Sequence, residues 1–206
     1  MHFVGAMARN LEQLAPGLGQ SSCTAGEWLV ALSAHVLFRT VPTRLEGMHP
    51  MARKTVEDLF IHELSDIYSA EKQITKALPR LARAATNPLL ADAFTSHLEE
   101  TQGQIERIDQ LVELTGLKLK RMKCVAMEGL VEESKELIEE IEKGAVLDAG
   151  LIGGAQKVEH YEIASYGTLI AMAKHLKLDD AAALLEATLA EEKGADEKLS
   201  KIAEQG

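Results

Sequence analysis

The chain reads as all-α: a four-helix bundle with a long crossover and a short extra helix. Three observations predict this. From Thr55 onward, apolar residues recur at three- and four-residue steps almost without interruption, and no run alternates with the period of a strand. Helix-start and helix-stop residues mark short links after the first and third long segments and one long link between the second and third. The composition, 46% hydrophobic but only 4% aromatic over 206 residues, suits a core of aliphatic helix faces.

Thr55 with Asp58 is a capping-box variant that opens the first helix, along which Leu64, Ile67, Glu71, Ile74, Leu78 and Leu81 share a face. Pro79 predicts a kink near its end. Asn87-Pro88, a cap followed by a first-turn proline, starts the second helix, whose apolar stripe is Phe94, Leu98, Thr101, Ile105, Ile108 and Val112. Gly116 ends it. The crossover, Leu117 to Leu147, carries Cys124, Met127 and a short amphipathic helix around Leu130, Ser134 and Leu137. A third long helix runs from about Asp148 to Lys177, with Ala155, Glu159, Glu162, Tyr166, Leu169 and Ala173 in register. Asp179 caps a fourth, with Leu185, Thr188, Glu192, Leu199 and Ile202 on one face. This order is that of the ferritin-like bundle.

Residues 1–50 differ from the rest. Arg9, Arg39 and Arg44 balance Glu12, Glu27 and Glu46, and the only Trp, Trp28, lies here with Pro16, Pro42 and Pro50. The apolar run Trp28 to Phe38 is too short to span a bilayer and too far from the terminus for an ordinary secretory signal. The expectation is a poorly ordered extension or a mis-assigned start, with the functional domain, residues 51–206, beginning near Met48 or Met51.

With 32 acidic against 22 basic residues the formal charge is -10, which argues against nucleic acid or an anionic membrane as partner and favours cations. Cys23 and Cys124 form neither a disulfide framework nor a zinc spacing, and the redox setting reads as cytoplasmic.

The chemistry lies where carboxylates interrupt the apolar stripes. Glu71 is flanked by Ile67 and Ile74, Glu159 and Glu162 share the face of Ala155 and Tyr166, and Glu192 stands midway between Leu185 and Leu199 with Asp196 one turn on. On the second helix Glu100 is the better inward candidate, with Gln104 near it. His97 and His160, off the centre of their stripes, read as surface or outer residues rather than ligands. Tyr161 and Tyr166 read as packing aromatics, although a Tyr beside a metal pair can hydrogen-bond a ligand. Converging carboxylates in an apolar core lose hydration and repel one another, so they need protons, basic partners or a cation. Oxygen ligands from four helices suit a divalent metal pair, iron or manganese.

Four strings, Leu64 to Gln73, His97 to Thr101, Arg121 to Leu130 and Gln156 to Tyr166, resemble the YciE/YciF family of ferritin-like bacterial stress proteins over essentially residues 51–206. The resemblance implies a homodimer, a di-iron type site and a place in the general stress response. It implies Glu71, Glu159, Glu162, Glu192 and Asp196 as the carboxylates of the first, third and fourth helices. The chain departs from the wider ferritin-like Glu-x-x-His pattern: Gln102 stands third after Glu99, and neither Glu191 nor Glu192 is followed by a histidine. Two function classes result. One is a metal-dependent oxidase or peroxidase using Glu71, Glu100, Glu159, Glu162 and Glu192; the other is a non-catalytic scaffold with a weak or lost site, which the missing histidines favour.

Overall fold

The computed structural model describes residues 55–205, and the expected N-terminal extension, residues 1–50, lies outside them. Within them the chain forms α1 (Val56–Ala84), α2 (Pro88–Thr115), α3 (Val125–Glu140), α4 (Ala145–His175) and α5 (Asp179–Gln205), with no strand among the described residues. Three of the four expected caps are in place, whereas Asp179 lies inside the first turn of α5, whose opening hydrogen bond runs from the Ala182 amide to the Leu178 carbonyl. Thr55 accepts a hydrogen bond from the amide of Asp58, the Asn87 side chain accepts from Leu89, and Gly116 closes α2 at φ 66°, the left-handed conformation that suits glycine. α1 passes through Pro79 to Ala84.

α1 packs on α2 and α4, and α5 packs on the same two, so the four long helices close around one core. Its buried apolar residues include Phe60, Leu64, Ile67 and Leu78 of α1, Leu90, Phe94 and Leu111 of α2, Leu151, Leu169 and Met172 of α4, and Leu185 and Leu199 of α5. Asp148, in the first turn of α4, fixes the topology. Its carboxylate accepts from the amide of Thr86 at 2.8 Å, the Thr86 hydroxyl at 2.5 Å and the amide of Asn87 at 2.9 Å. The start of α4 is therefore tied to the α1–α2 turn, so α2 and α4 run the same way and the crossover must carry the chain the length of the bundle.

The crossover is stitched to one stripe of α1. The Lys120 amide donates to the Ser65 hydroxyl at 2.9 Å, the Cys124 amide donates to the Ser69 hydroxyl at 3.0 Å, and the Gln73 side chain donates to the Cys124 carbonyl at 3.0 Å. Residues four apart on a helix line up, so Ser65, Ser69 and Gln73 form a polar rail that satisfies a non-helical backbone. α3 then lies on α1 and α4. At Gly154 of α4 a Cβ would meet the Ser134 hydroxyl oxygen of α3 at 3.2 Å. No helix among the described residues is long and apolar enough to cross a membrane.

Candidate metal centre

The carboxylates on the apolar faces of α1, α4 and α5 converge. Glu71, Glu162 and Glu192 are 0% exposed and Glu159 is 2% exposed. His97 joins them from α2, at 7% exposed. One ligand atom from each of His97, Glu159, Glu162 and Glu192 lies within 4.8 Å of the others. The His97 Nε2 is 3.4 Å from Glu159 Oε1 and 4.0 Å from Glu192 Oε2. Glu71 is tied to the group by Tyr166 of α4, whose hydroxyl donates to Glu71 Oε1.

Burial first, and the charge of Glu192 second, pushes the Glu71 carboxyl up to about 8. Burial and the charges of Glu71, Glu192 and Glu159 hold Glu162 well above the usual carboxylate range, and burial with Glu192 does the same to Glu159. Glu192 is raised by burial although His97 opposes the shift. Without a cation the group keeps protons that exposed carboxylates would lose.

A second layer orients Glu192. The Gln104 side-chain amide donates to Glu192 Oε1 at 2.5 Å and to Glu191 Oε2 at 3.1 Å. Arg107 grips Glu191 with two nitrogens, at 2.8 and 2.9 Å, and donates to the Thr188 hydroxyl at 2.7 Å. The Arg107 guanidinium is therefore spent on Glu191 and Thr188, and among the described residues the inner carboxylates are paired with no basic side chain beyond His97.

Glu71, Gln104, Glu159, Glu162 and Glu192 stand in the buried group, whereas Glu100 and Asp196 stand outside it. Glu100, expected to point inward, is exposed, and its carboxylate meets the outer nitrogen of His97 at 3.4 Å. Asp196 lies at the margin, 3.1 Å from the Gln156 side-chain nitrogen and 3.3 Å from the exposed His160 ring. The expectation for His97 was wrong in the opposite sense: it is inside. Two stripes compete on α2. The one through Phe94, Leu98, Thr101, Ile105 and Val112 is richer in apolar residues, but Leu98, Ile105 and Val112 are only half-buried. The buried stripe is Leu90, Phe94, His97, Thr101, Gln104, Ile108 and Leu111, an equally regular alternation of four and three. Two of its three polar members, His97 and Gln104, stand in the buried group, which disguised it; the spacing of Leu90 and Leu111 was the available signal.

Tyr161 of α4 donates to Asp66 at 2.6 Å and lies 3.1 Å from the sulfur of the buried Cys124. It joins α1, the crossover and α4 rather than the centre.

Comparison with known proteins places the chain. It is 64% identical to Protein YciF of Escherichia coli (strain K12) over 154 residues, 74% of this chain and 93% of that protein. The crystal structure of the E. coli stress protein YciF superposes with a TM-score of 0.72, covering 73% of this chain and 96% of that one. YcfI from Rhodopseudomonas palustris, 50% identical, superposes at 0.71 over 74% of this chain and 98% of its own. A Xanthomonas campestris protein at 24% identity shares the fold, with a TM-score of 0.60 over 73% of this chain and 93% of its own. Residues 55–206 match the domain of unknown function DUF892. The five-helix fold, the match over the whole described region and the identity to YciF together show that this chain belongs to the YciF family, within DUF892.

Proposed function

We propose that the protein holds a pair of divalent metal ions, iron or manganese, in the core of its bundle and acts through them in the bacterial stress response. One observation carries the reading. Among the described residues, the buried side-chain nitrogen and oxygen atoms without a hydrogen-bond partner all belong to this group: Glu71 Oε2, His97 Nε2, Gln104 Oε1, Glu159 Oε2, both oxygens of Glu162 and Glu192 Oε2. Buried polar atoms are normally satisfied, and concentration of the exceptions at one point supports the reading of a ligand position there. The donor set, carboxylate oxygens with one imidazole, suits a hard or borderline divalent cation.

Glu71, His97, Glu159, Glu162 and Glu192 are the residues that would hold the ions, with Gln104 oxygen as a further donor. Bound iron would supply redox chemistry toward oxygen or peroxide. The chain's own part is to exclude water, to hold Glu192 through Gln104, which also bonds Glu191, and to orient Glu71 through the hydrogen bond that the Tyr166 hydroxyl donates to it. The same reading takes the protein to be a cytoplasmic homodimer, which sizing of the purified chain in solution checks.

The test is metal content and peroxide-driven oxidation of ferrous iron, measured on the full chain and on the Glu71→Ala, Glu162→Ala double variant. The expected result is uptake of a metal pair that the double variant loses, with iron oxidation above the variant's background. Uptake without that oxidation would leave a metal-binding protein that is no oxidase. No uptake would leave the scaffold reading.

A further inference from the structure

A cavity of about 320 Å³ adjoins the metal centre, and all five helices line it. It occupies the half of the bundle nearer the α1–α2 turn, because it takes the C-terminal half of α1, the first turns of α2 and the last turns of α5. Ile74, Leu78, Leu81, Phe94, Val158 and Leu199 make its wall apolar. Its polar groups differ in exposure, although Glu100 lies 3.4 Å from the outer nitrogen of His97. His97 and Glu159, both buried and each with a side-chain atom lacking a hydrogen-bond partner, form the inner end, while the exposed Glu100 and Lys198 stand at the mouth.

We infer that this cavity is a binding site for a medium-chain aliphatic molecule with an uncharged polar head, such as an alcohol or aldehyde, its head directed toward His97 and Glu159. Size supports the chain length. An apolar cavity of about 150 Å³ takes up benzene, with six carbons, so about twice that space accommodates roughly ten to twelve. The wall chemistry selects an aliphatic body, since an apolar surface of this extent gains by exchanging water for hydrocarbon. The inner end selects the head. A tail pressed against His97 and Glu159 would leave their polar atoms unsatisfied, whereas a small oxygen-bearing head can hydrogen-bond them.

Charge narrows the head further. Glu100, Glu159 and Glu191 outnumber Lys198 among the ionisable lining groups apart from His97, so a carboxylate head meets acid on the way in and at the end. A charged head of either sign also loses hydration in a pocket walled by hydrocarbon.

The experiment is calorimetric titration of the full chain, freed of metal by chelator at pH 7, with decan-1-ol, decanoate and decylamine. Two variants narrow the cavity from opposite walls: Ala77→Phe on α1 and Ala195→Phe on α5. Both positions line it and are only half-buried, so each ring can be accommodated at the rim. The expected result is saturable binding of decan-1-ol, about tenfold or more tighter than either charged analogue, and weakened by about tenfold or more in both variants. No saturable binding of the alcohol overturns the inference, as does tighter binding of decanoate or decylamine. Unchanged alcohol binding in variants that melt like the parent chain overturns it too. If a variant fails to fold, the ligand series on the parent chain decides alone. Because binding is read on metal-free protein, its failure and the failure of metal uptake are separate results.

Discussion

Gln104 on α2 donates to Glu192 on α5 at 2.5 Å while its second contact, to Glu191, is anchored by Arg107. A neutral amide thus positions an inner carboxylate, and the Arg107 guanidinium is kept one layer out. If Glu192 is a ligand, Gln104 acts through it. Gln104→Leu should weaken metal affinity by roughly 10–100-fold without unfolding the chain, and Gln104→Glu should add a further like charge to the group. Metal titration of both variants, with melting curves alongside, checks this. Unaltered affinity in Gln104→Leu would show that Glu192 holds its position without the amide.

Glu162 has no hydrogen-bond partner on either oxygen. Glu162→Gln keeps its shape and removes a buried acid, so metal-free protein should gain stability at neutral pH, on the order of 1–3 kcal/mol. In the presence of metal the order should reverse, because the parent chain gains binding energy that the variant forfeits. Thermal melts of the two proteins with chelator and with added ferrous or manganous salt test the crossing.

Metal-free protein should lose stability as pH rises. Glu71 has its carboxyl raised from 4.5 to about 8, so below 4.5 it is protonated in folded and unfolded chains alike and its contribution is fully present. Between those values the unfolded chain releases a proton that the folded chain retains, and stability falls until pH passes about 8. From Glu71 alone the loss by pH 7 is on the order of 3 kcal/mol, with Glu159, Glu162 and Glu192 acting in the same direction. Urea titrations of chelated protein from pH 5 to 8 would show a falling midpoint; a midpoint flat over that range would mean that water reaches the carboxylates.

Asp148 has the opposite dependence. Burial pushes its carboxyl up, but the hydrogen bonds from Thr86 and Asn87 outweigh it and leave the group below its ordinary value. Its contribution is present above the unfolded-chain value of 3.8 and is lost as pH falls through the lower folded-state value. Asp148→Ala should destabilise by about 2–4 kcal/mol, since two backbone amides and a hydroxyl lose a charged acceptor. Hydrogen exchange at Thr86 and Asn87 would rise in the variant if this tie holds the α1–α2 turn to α4.

Helix identity was legible because each helix carries its own instructions. Thr55, Asn87-Pro88 and Gly116 act on the adjacent backbone, and the observed helices start or stop beside them, while Asp179 marks the start of α5 from inside its first turn. Glu71, Glu159, Glu162 and Glu192 were equally readable, since a charged residue between aliphatic neighbours at three and four residues must share their burial. The start of α4 was placed three residues late because Asp148, which resembles a cap, lies inside the first turn and reaches across to another loop.

Local spacing thus prescribed the helices, their order and the acids of α1, α4 and α5, for the period of a helix is a property of the chain itself. The rotation of α2 was settled by its neighbours. Two faces with the same period were available, and the one carrying His97 and Gln104 turned inward, where carboxylates from α4 and α5 meet those side chains. Hydropathy ranks each residue alone, so it scored the imidazole as outward; only the packed bundle brings the opposing acids within hydrogen-bonding range of it, and it alone leaves the apolar hollow beside them.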